Sequence, residues 1–159
     1  MNLLEQTKYL IKTSGLKPDR LKGQNFCIEE KVLAEMVKTS ELSKNDAVLE
    51  VGAGFGFLTS VLVKTVREVT AVELEPVLAK VLKNAAAVAS HVASRLKIIQ
   101  QDILNLTESE LPEGDYKIVA NLPYGITSVF LKKFLTSFRQ PTSMALLLQK
   151  EVAERICAR

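Results

Sequence analysis

Five short apolar runs alternate along the chain with stretches of helical periodicity. The runs are rich in Val, Ile and Leu, which is typical of strands that are covered on both faces. They span Ala47–Val51, Glu68–Val72, Leu96–Gln100, Tyr116–Ala120 and Ser143–Leu148. Helices are predicted at about Glu29–Thr39, Phe55–Thr65, Pro76–Ala93 and Thr127–Phe138, and a further one starts at Lys150. Strands that alternate with helices predict an α/β fold with a doubly wound, mostly parallel sheet.

The composition is that of one soluble domain. The chain has 159 residues, of which 47% are hydrophobic and 25% are charged, and this is enough apolar material for a core. No apolar run approaches the roughly 20 residues of a membrane-spanning helix, and the N-terminus has no secretory signal pattern. Cys27 and Cys157 are too few and too isolated for a disulfide framework or a zinc site. We therefore expect a cytoplasmic protein without a metal site or a membrane partner.

The net charge of +3 is concentrated at the N-terminus. Residues 1–22 carry the whole of this balance, so residues 23–159 balance to zero. The basic residues of the first segment are Lys8, Lys12, Lys17, Arg20 and Lys22. The pattern predicts a basic arm at 1–22 before a neutral domain at 23–159, and a basic arm indicates a polyanionic partner such as RNA. A solvated terminal helix would account for the charges equally well.

A glycine-rich turn follows the first predicted strand, in the segment LEVGAGFGFLT. Gly52, Gly54 and Gly56 stand between that strand and a predicted helix, which is the context of a nucleotide-binding turn. Glycine lets the backbone turn sharply and pass close to a ligand that a Cβ would displace. The spacing is G-x-G-x-G rather than G-x-G-x-x-G, which argues against a dinucleotide. A turn that is merely tight remains the alternative.

Two acidic residues follow the second and third predicted strands. Glu73 lies 21 residues after Gly52, where a carboxylate can accept hydrogen bonds from both ribose hydroxyls of a nucleotide. Glu75 competes for this role but lies two residues further out. Asp102 follows the third strand on the same edge of the sheet and can accept a hydrogen bond from an adenine amino group. The alternatives are a solvated carboxylate for Glu73 and a turn or cap residue for Asp102.

In the segment VANLPYGITS, the apolar run of the fourth predicted strand is followed directly by an amide, a proline and a phenol. Asn121 offers a side-chain carbonyl, and the backbone carbonyls of Leu122 and Pro123 have no obligatory strand partner, so this segment presents hydrogen-bond acceptors. Tyr124 supplies an aromatic face on which a base can stack. Together the four residues suit a planar exocyclic amine, and we predict that they form the catalytic site. A simple proline turn is the alternative.

Six segments in this order resemble one known family. They are LKGQNF, LEVGAGFGFLT, AVELE, QQDIL, NLPYGITS and LLLQKEVAERI. The chain from about Leu21 to Ile156 resembles the ribosomal RNA adenine N6-dimethyltransferases, which include the small-subunit adenine dimethylases and the erythromycin-resistance methylases. NLPY and LQKEVAERI are more similar to the small-subunit branch.

The resemblance implies a class I S-adenosylmethionine-dependent, Rossmann-like fold. The implied activity is N6-dimethylation of adenosines in small-subunit ribosomal RNA during ribosome biogenesis, and the implied cofactor is S-adenosyl-L-methionine. The implied cofactor contacts include two residues of the glycine turn. The full set is Gln24, Asn25, Cys27, Gly52, Gly54, Glu73, Asp102 and Asn121. The family usually has Leu at the position of Cys27 and often Pro at that of Ala53.

The resemblance also implies that the chain is incomplete after its sixth motif. Family members continue through two more strands and a smaller helical domain, in the strand order 3-2-1-4-5-7-6. The fifth strand would then be an apolar edge, from which we expect self-association and weak or no activity of these 159 residues alone. Three other functions remain open: a large-subunit methylase of the resistance type, a non-enzymatic rRNA or transcription factor that binds the cofactor, and an oxidoreductase, which the glycine spacing and NLPY disfavour.

Overall fold

All five predicted strands are present, each within one residue of its predicted bounds. The computed structural model describes residues 2–16, 26–88, 94–123, 125–137 and 139–158. The strands are β1 (Ala47–Val51), β2 (Glu68–Glu73), β3 (Leu96–Gln100), β4 (Tyr116–Asn121) and β5 (Ser143–Leu147). Every pair is parallel, and the order is β3-β2-β1-β4-β5. The predicted α/β fold is therefore confirmed, together with the first five positions of the expected strand order.

The five predicted helices are present with differences at some of their ends, and a further helix for which no bounds were predicted precedes them. They are α1 (Leu3–Ser14), α2 (Glu30–Thr39), α3 (Phe57–Thr65), α4 (Pro76–Val88), α5 (Thr127–Thr136) and α6 (Lys150–Cys157). The prediction that α3 begins at Phe55 is wrong, because Gly56 precedes it in the left-handed conformation with φ of 83°. α5 ends early since Ser137 is extended. The predicted continuation of α4 to Ala93 lies outside the described residues.

The sheet separates two hydrophobic layers. Val48 and Val119 face the layer that contains Leu33 of α2 and Leu62 of α3. On the opposite face, Leu49 and Ile118 pack in a cluster with Phe130 and Phe134 of α5. β1 is buried along its whole length because it lies at the centre of the sheet. The continuous apolar pattern of the strands therefore reflects cover on both faces.

α1 is a packed element and not a fully solvated one. Asn2 and Glu5 form a capping box at its start, and Leu3 is buried in the core. Its residues Leu10 and Ile11 pack against a cluster that contains Phe55 of the glycine turn. The inner face of α1 thus lies beside the carboxyl edge of the sheet. Lys17, Arg20 and Lys22 of the predicted basic arm lie outside the described residues.

The strand order reverses next to β1. The chain builds β2 and β3 on one side of β1 and then crosses over to place β4 and β5 on the other. Ligands of open α/β sheets bind outside the carboxyl ends of the strands at this kind of switch point. β5 pairs with β4 and forms one edge of the described sheet. Within the described part of the chain, no helix has the length and apolar character needed to cross a membrane.

Candidate active site

A cavity of about 460 Å³ lies at the carboxyl edge of the sheet, at the switch point. Of the residues that the sequence predicts for the site, those that line it are Cys27, Gly52, Gly54, Glu73, Asp102, Asn121 and Pro123. Leu122 is buried in the core behind the cavity, so its side chain does not line the wall. Gln24, Asn25 and Tyr124 lie outside the described residues. The fold thus brings together residues from four separate predicted motifs.

The glycine turn is held against the ends of two strands. The amide of Gly52 donates to the carbonyl of Val72 in β2 at 2.9 Å, and a Cβ on Gly52 would lie 3.4 Å from the backbone oxygen of Asn121. Gly52, Gly54 and Gly56 all have positive φ, between 59° and 83°. A Cβ on Gly56 would also meet the Leu82 side chain at 2.5 Å. The turn therefore requires glycine for its conformation, and Gly56 requires it for space as well.

Glu73 is fixed at the end of β2 by two backbone donors. Its Oε2 accepts from the amide of Gly54 at 2.8 Å, and its Oε1 accepts from the amide of Glu75 at 2.9 Å. Burial raises the pKa of Glu73 above its usual value, and these two hydrogen bonds offset part of the rise. Each carboxylate oxygen can accept more than one hydrogen bond. Glu73 can therefore orient the glycine turn and still accept hydrogen bonds from a ligand in the cavity.

Asp102 caps a short helix and also lines the cavity. Its Oδ1 accepts from the amide of Leu104 at 2.9 Å and caps the short 3-10 helix Ile103–Asn105. The same residue lines the cavity. The cap fixes the side chain beside the end of β3, and an ionised carboxylate retains further acceptor capacity. An amino group of a bound base could be recognised there.

The NLP segment turns sharply from β4 into α5. The amide of Leu122 donates to the carbonyl of Leu147 at 3.4 Å, and the carbonyl of Pro123 accepts from the amide of Ile126 at 3.3 Å. The partner of the Pro123 carbonyl is therefore a turn amide and not a strand, because a tight turn joins it to the start of α5. A carbonyl oxygen has two lone pairs, so this atom can still accept one hydrogen bond from a ligand.

Sequence reasoning missed Glu50 of β1, which also lines the cavity. Glu50 is 1% exposed, and among the described residues neither of its carboxyl oxygens nor the hydroxyl of Thr59 has a hydrogen-bond partner. Burial raises the pKa of Glu50 to about 8, Thr59 offsets part of this rise, and the charge of Glu73 adds to it. The signal was visible as one acidic residue inside the apolar run AVLEV.

The arrangement fits a nucleoside cofactor with a positively charged end. Glycines leave space beside the backbone, and carboxylates at the ends of β2 and β3 offer acceptors for hydroxyl and amino groups. Glu50 is a buried acid without a hydrogen bond among the described residues. Cys27 contributes a partly buried free thiol to the wall. No group of three or more potential metal ligands occurs in the described part of the chain.

The chain resembles proteins that are named as ribosomal RNA methyltransferases. The sequence model of the family described as ribosomal RNA adenine dimethylase matches residues 17–159. A ribosomal RNA small subunit methyltransferase A from Acidothermus cellulolyticus is 38% identical over 150 residues, which are 94% of this chain and 51% of that protein. The chain spans about half the length of the curated relatives that it matches.

Solved structures extend the likeness to the fold. The 23S rRNA methyltransferase ErmE is 32% identical with a TM-score of 0.69, and the match covers 82% of this chain and 50% of ErmE. An RNA methyltransferase from Salinibacter ruber, solved in complex with S-adenosyl-L-homocysteine, is 20% identical with a TM-score of 0.58 and 69% of each chain covered. The predicted class I methyltransferase fold is confirmed. With its family model matched from residue 17 to the last residue, the chain belongs to the ribosomal RNA adenine dimethylase family.

Proposed function

We propose that the chain is the cofactor-binding and catalytic part of an enzyme that dimethylates N6 of adenosines in small-subunit ribosomal RNA. The observation that carries the proposal is the single cavity that joins the glycine turn, Glu73, Asp102 and Asn121. Family membership supports the reaction class, and the small-subunit relatives support the substrate. Because the substrate is a ribosomal subunit under assembly, we propose the cytoplasm as its location.

The cofactor proposed for the cavity is S-adenosyl-L-methionine. The ribose hydroxyls would donate to Glu73, the adenine amino group would donate to Asp102, and Gly52 and Gly54 would let the backbone approach the ligand. Cys27 would contribute through its backbone or its small thiol. Gln24 and Asn25, which lie outside the described residues, are proposed to close over the methionine end on the strength of the family resemblance alone.

The methyl acceptor is proposed to lie at the NLPY segment. The lone pair of the adenine amine is delocalised into the ring, so the amine is a poor nucleophile. Carbonyl acceptors at Asn121, Leu122 and Pro123 would take its two N–H donors and favour a tetrahedral nitrogen with an available lone pair. Tyr124 would stack on the target base, which must first be unstacked from its neighbours in the RNA. S-adenosylmethionine, when bound, supplies the methyl group.

RNA contacts are proposed to include the basic residues of α1. The inner face of α1 packs beside the glycine turn through Leu10, Ile11 and Phe55, while Lys8 and Lys12 on this helix are exposed. Exposed lysines on this helix would attract phosphates. Similarity to ErmE keeps large-subunit RNA as the second candidate substrate.

A methyl-transfer assay separates these substrates. We expect the 159-residue chain, in stoichiometric amounts, to transfer methyl groups weakly or not at all. A chimera that continues after Arg159 with the C-terminal half of the Acidothermus cellulolyticus relative should convert adenosines of small ribosomal subunits to N6,N6-dimethyladenosine, measured by mass spectrometry of digested RNA. Transfer to large subunits instead would favour the second candidate, and transfer to neither by a folded chimera that binds the cofactor would favour a non-enzymatic factor.

We also propose that the isolated chain self-associates through β5. This strand forms an edge of the described sheet, and its side chains from Met144 to Leu147 are only partly buried. An apolar edge strand exposes unpaired backbone groups that recruit other chains. Light scattering should therefore show species larger than a monomer that shrink after Ala145→Pro, which removes one backbone donor. A strictly monomeric wild-type chain would contradict this proposal.

A further inference from the structure

Glu50 is the most deeply buried acidic side chain among the described residues of the cavity wall. It belongs to β1, and its register partners are Ala71 in β2 and Val119 in β4, both apolar. The faces of α2 and α3 that pack against this layer contribute apolar residues and Thr59. An ionised carboxylate in such surroundings carries a large desolvation cost unless a positive charge pairs with it.

No positive charge among the described residues acts on Glu50. Its pKa rises to about 8, first through burial, and the nearby carboxylate of Glu73 adds to the rise. The hydroxyl and amide of Thr59 lie close enough to lower this pKa in part, although the hydroxyl and the carboxyl do not meet in a hydrogen bond. Thr59 belongs to the first turn of α3, whose helix end is positive. Deep burial without a positively charged partner therefore favours the protonated, neutral form of Glu50 in the protein without ligand.

We propose that binding of the cofactor is coupled to the release of one proton from Glu50. A positive charge that enters the cavity favours the ionised carboxylate, so the carboxyl group loses its proton to the solvent and becomes the counter-ion of the ligand. The inference rests on the proposed function, because the ligand with an amino-acid end is the proposed cofactor. It goes beyond that function by assigning a charge change to a residue outside the predicted site.

Two pH dependences follow. Between about pH 5.5 and 7, affinity for the charged ligand should rise about tenfold per pH unit, because Glu50 must lose a proton to bind it. The stability of the empty protein should change in the opposite direction. The native carboxyl has the higher pKa, so its contribution is fully present below the ordinary pKa of about 4.5 and is lost as pH rises through about 8.

The test is calorimetric titration of the 159-residue chain at pH 6.5 in two buffers with different ionisation enthalpies. S-adenosylhomocysteine carries an ammonium group and a carboxylate on its amino-acid end, and 5′-methylthioadenosine, which lacks this end, serves as the comparison ligand without an ammonium group. We expect release of about one proton with S-adenosylhomocysteine and none with methylthioadenosine. In Glu50→Gln the release should vanish and affinity should not change between pH 5.5 and 7. Glu113→Gln, an exposed control, should match wild type.

Binding of S-adenosylhomocysteine without proton release overturns the inference, as does an equal release from Glu50→Gln or with methylthioadenosine. If Glu50→Gln does not fold, the pH dependence of wild-type affinity decides, and a flat affinity between pH 5.5 and 7 overturns the inference. Failure of wild type to bind either ligand would instead contradict the proposed function. The two failures are therefore distinguishable.

Discussion

Asn121→Ala is expected to reduce methyl transfer by about 10²- to 10³-fold, the usual loss when one preorganised hydrogen-bonding group is removed from a reacting centre. Asn121 is the last residue of β4 and lines the cavity. Its backbone oxygen lies beside Gly52, where a Cβ on that glycine would come within 3.4 Å of it. Its side-chain carbonyl is proposed to hold the target amine. Turnover should therefore fall far more than RNA affinity, measured with the chimera by single-turnover transfer and by RNA binding.

The matched control for Asn121→Ala is Asn105→Ala, a change of the same type in the 3-10 helix Ile103–Asn105. It should leave turnover close to wild type. A rate for Asn121→Ala within a few-fold of wild type would remove the proposed role of the side-chain carbonyl. A parallel loss of RNA affinity would make Asn121 an RNA-binding residue instead.

Glu73→Ala is expected to weaken cofactor binding by at least about tenfold. The carboxylate is proposed to accept two charge-assisted hydrogen bonds from ribose, each worth about 1.5–3 kcal/mol before compensation. It also orders the cavity, because it accepts from the amides of Gly54 and Glu75. The measurement is calorimetric titration with S-adenosylhomocysteine, accompanied by thermal unfolding to confirm that the variant is folded.

Glu75→Ala serves as the comparison for Glu73→Ala, because Glu75 is the competing candidate and also lines the cavity. We expect a much smaller loss of affinity for this variant. A larger loss for Glu75→Ala than for Glu73→Ala would transfer the ribose role to Glu75.

The strands could be predicted from the sequence because the central ones, β1, β2 and β4, are almost wholly buried. β1 and its neighbours form continuous Val-, Ile- and Leu-rich runs, and this pattern needs no knowledge of what covers them. The start of α3 could not be predicted in the same way. Whether Gly56 opens the helix or precedes it depends on its positive φ, which local propensity does not reveal.

Part of the cavity lining could also be predicted from the sequence. Glycine spacing and strand-end acids mark Gly52, Glu73 and Asp102, because the carboxyl ends of parallel strands meet at one edge. Glu50 was missed because its environment is set by tertiary packing: only the fold shows that no described residue pairs with it. The packing of α1 was missed as well, although Leu3, Leu10 and Ile11 follow a helical spacing.

The most direct test of the account is a crystal structure of the chain with S-adenosylhomocysteine bound. We expect the ligand in the cavity at the switch point, with both ribose hydroxyls within hydrogen-bonding distance of Glu73 and the adenine amino group within that distance of Asp102. The homocysteine sulfur should lie towards Asn121 and Pro123. A ligand bound elsewhere, or one whose ribose and adenine contact neither carboxylate, would contradict the account.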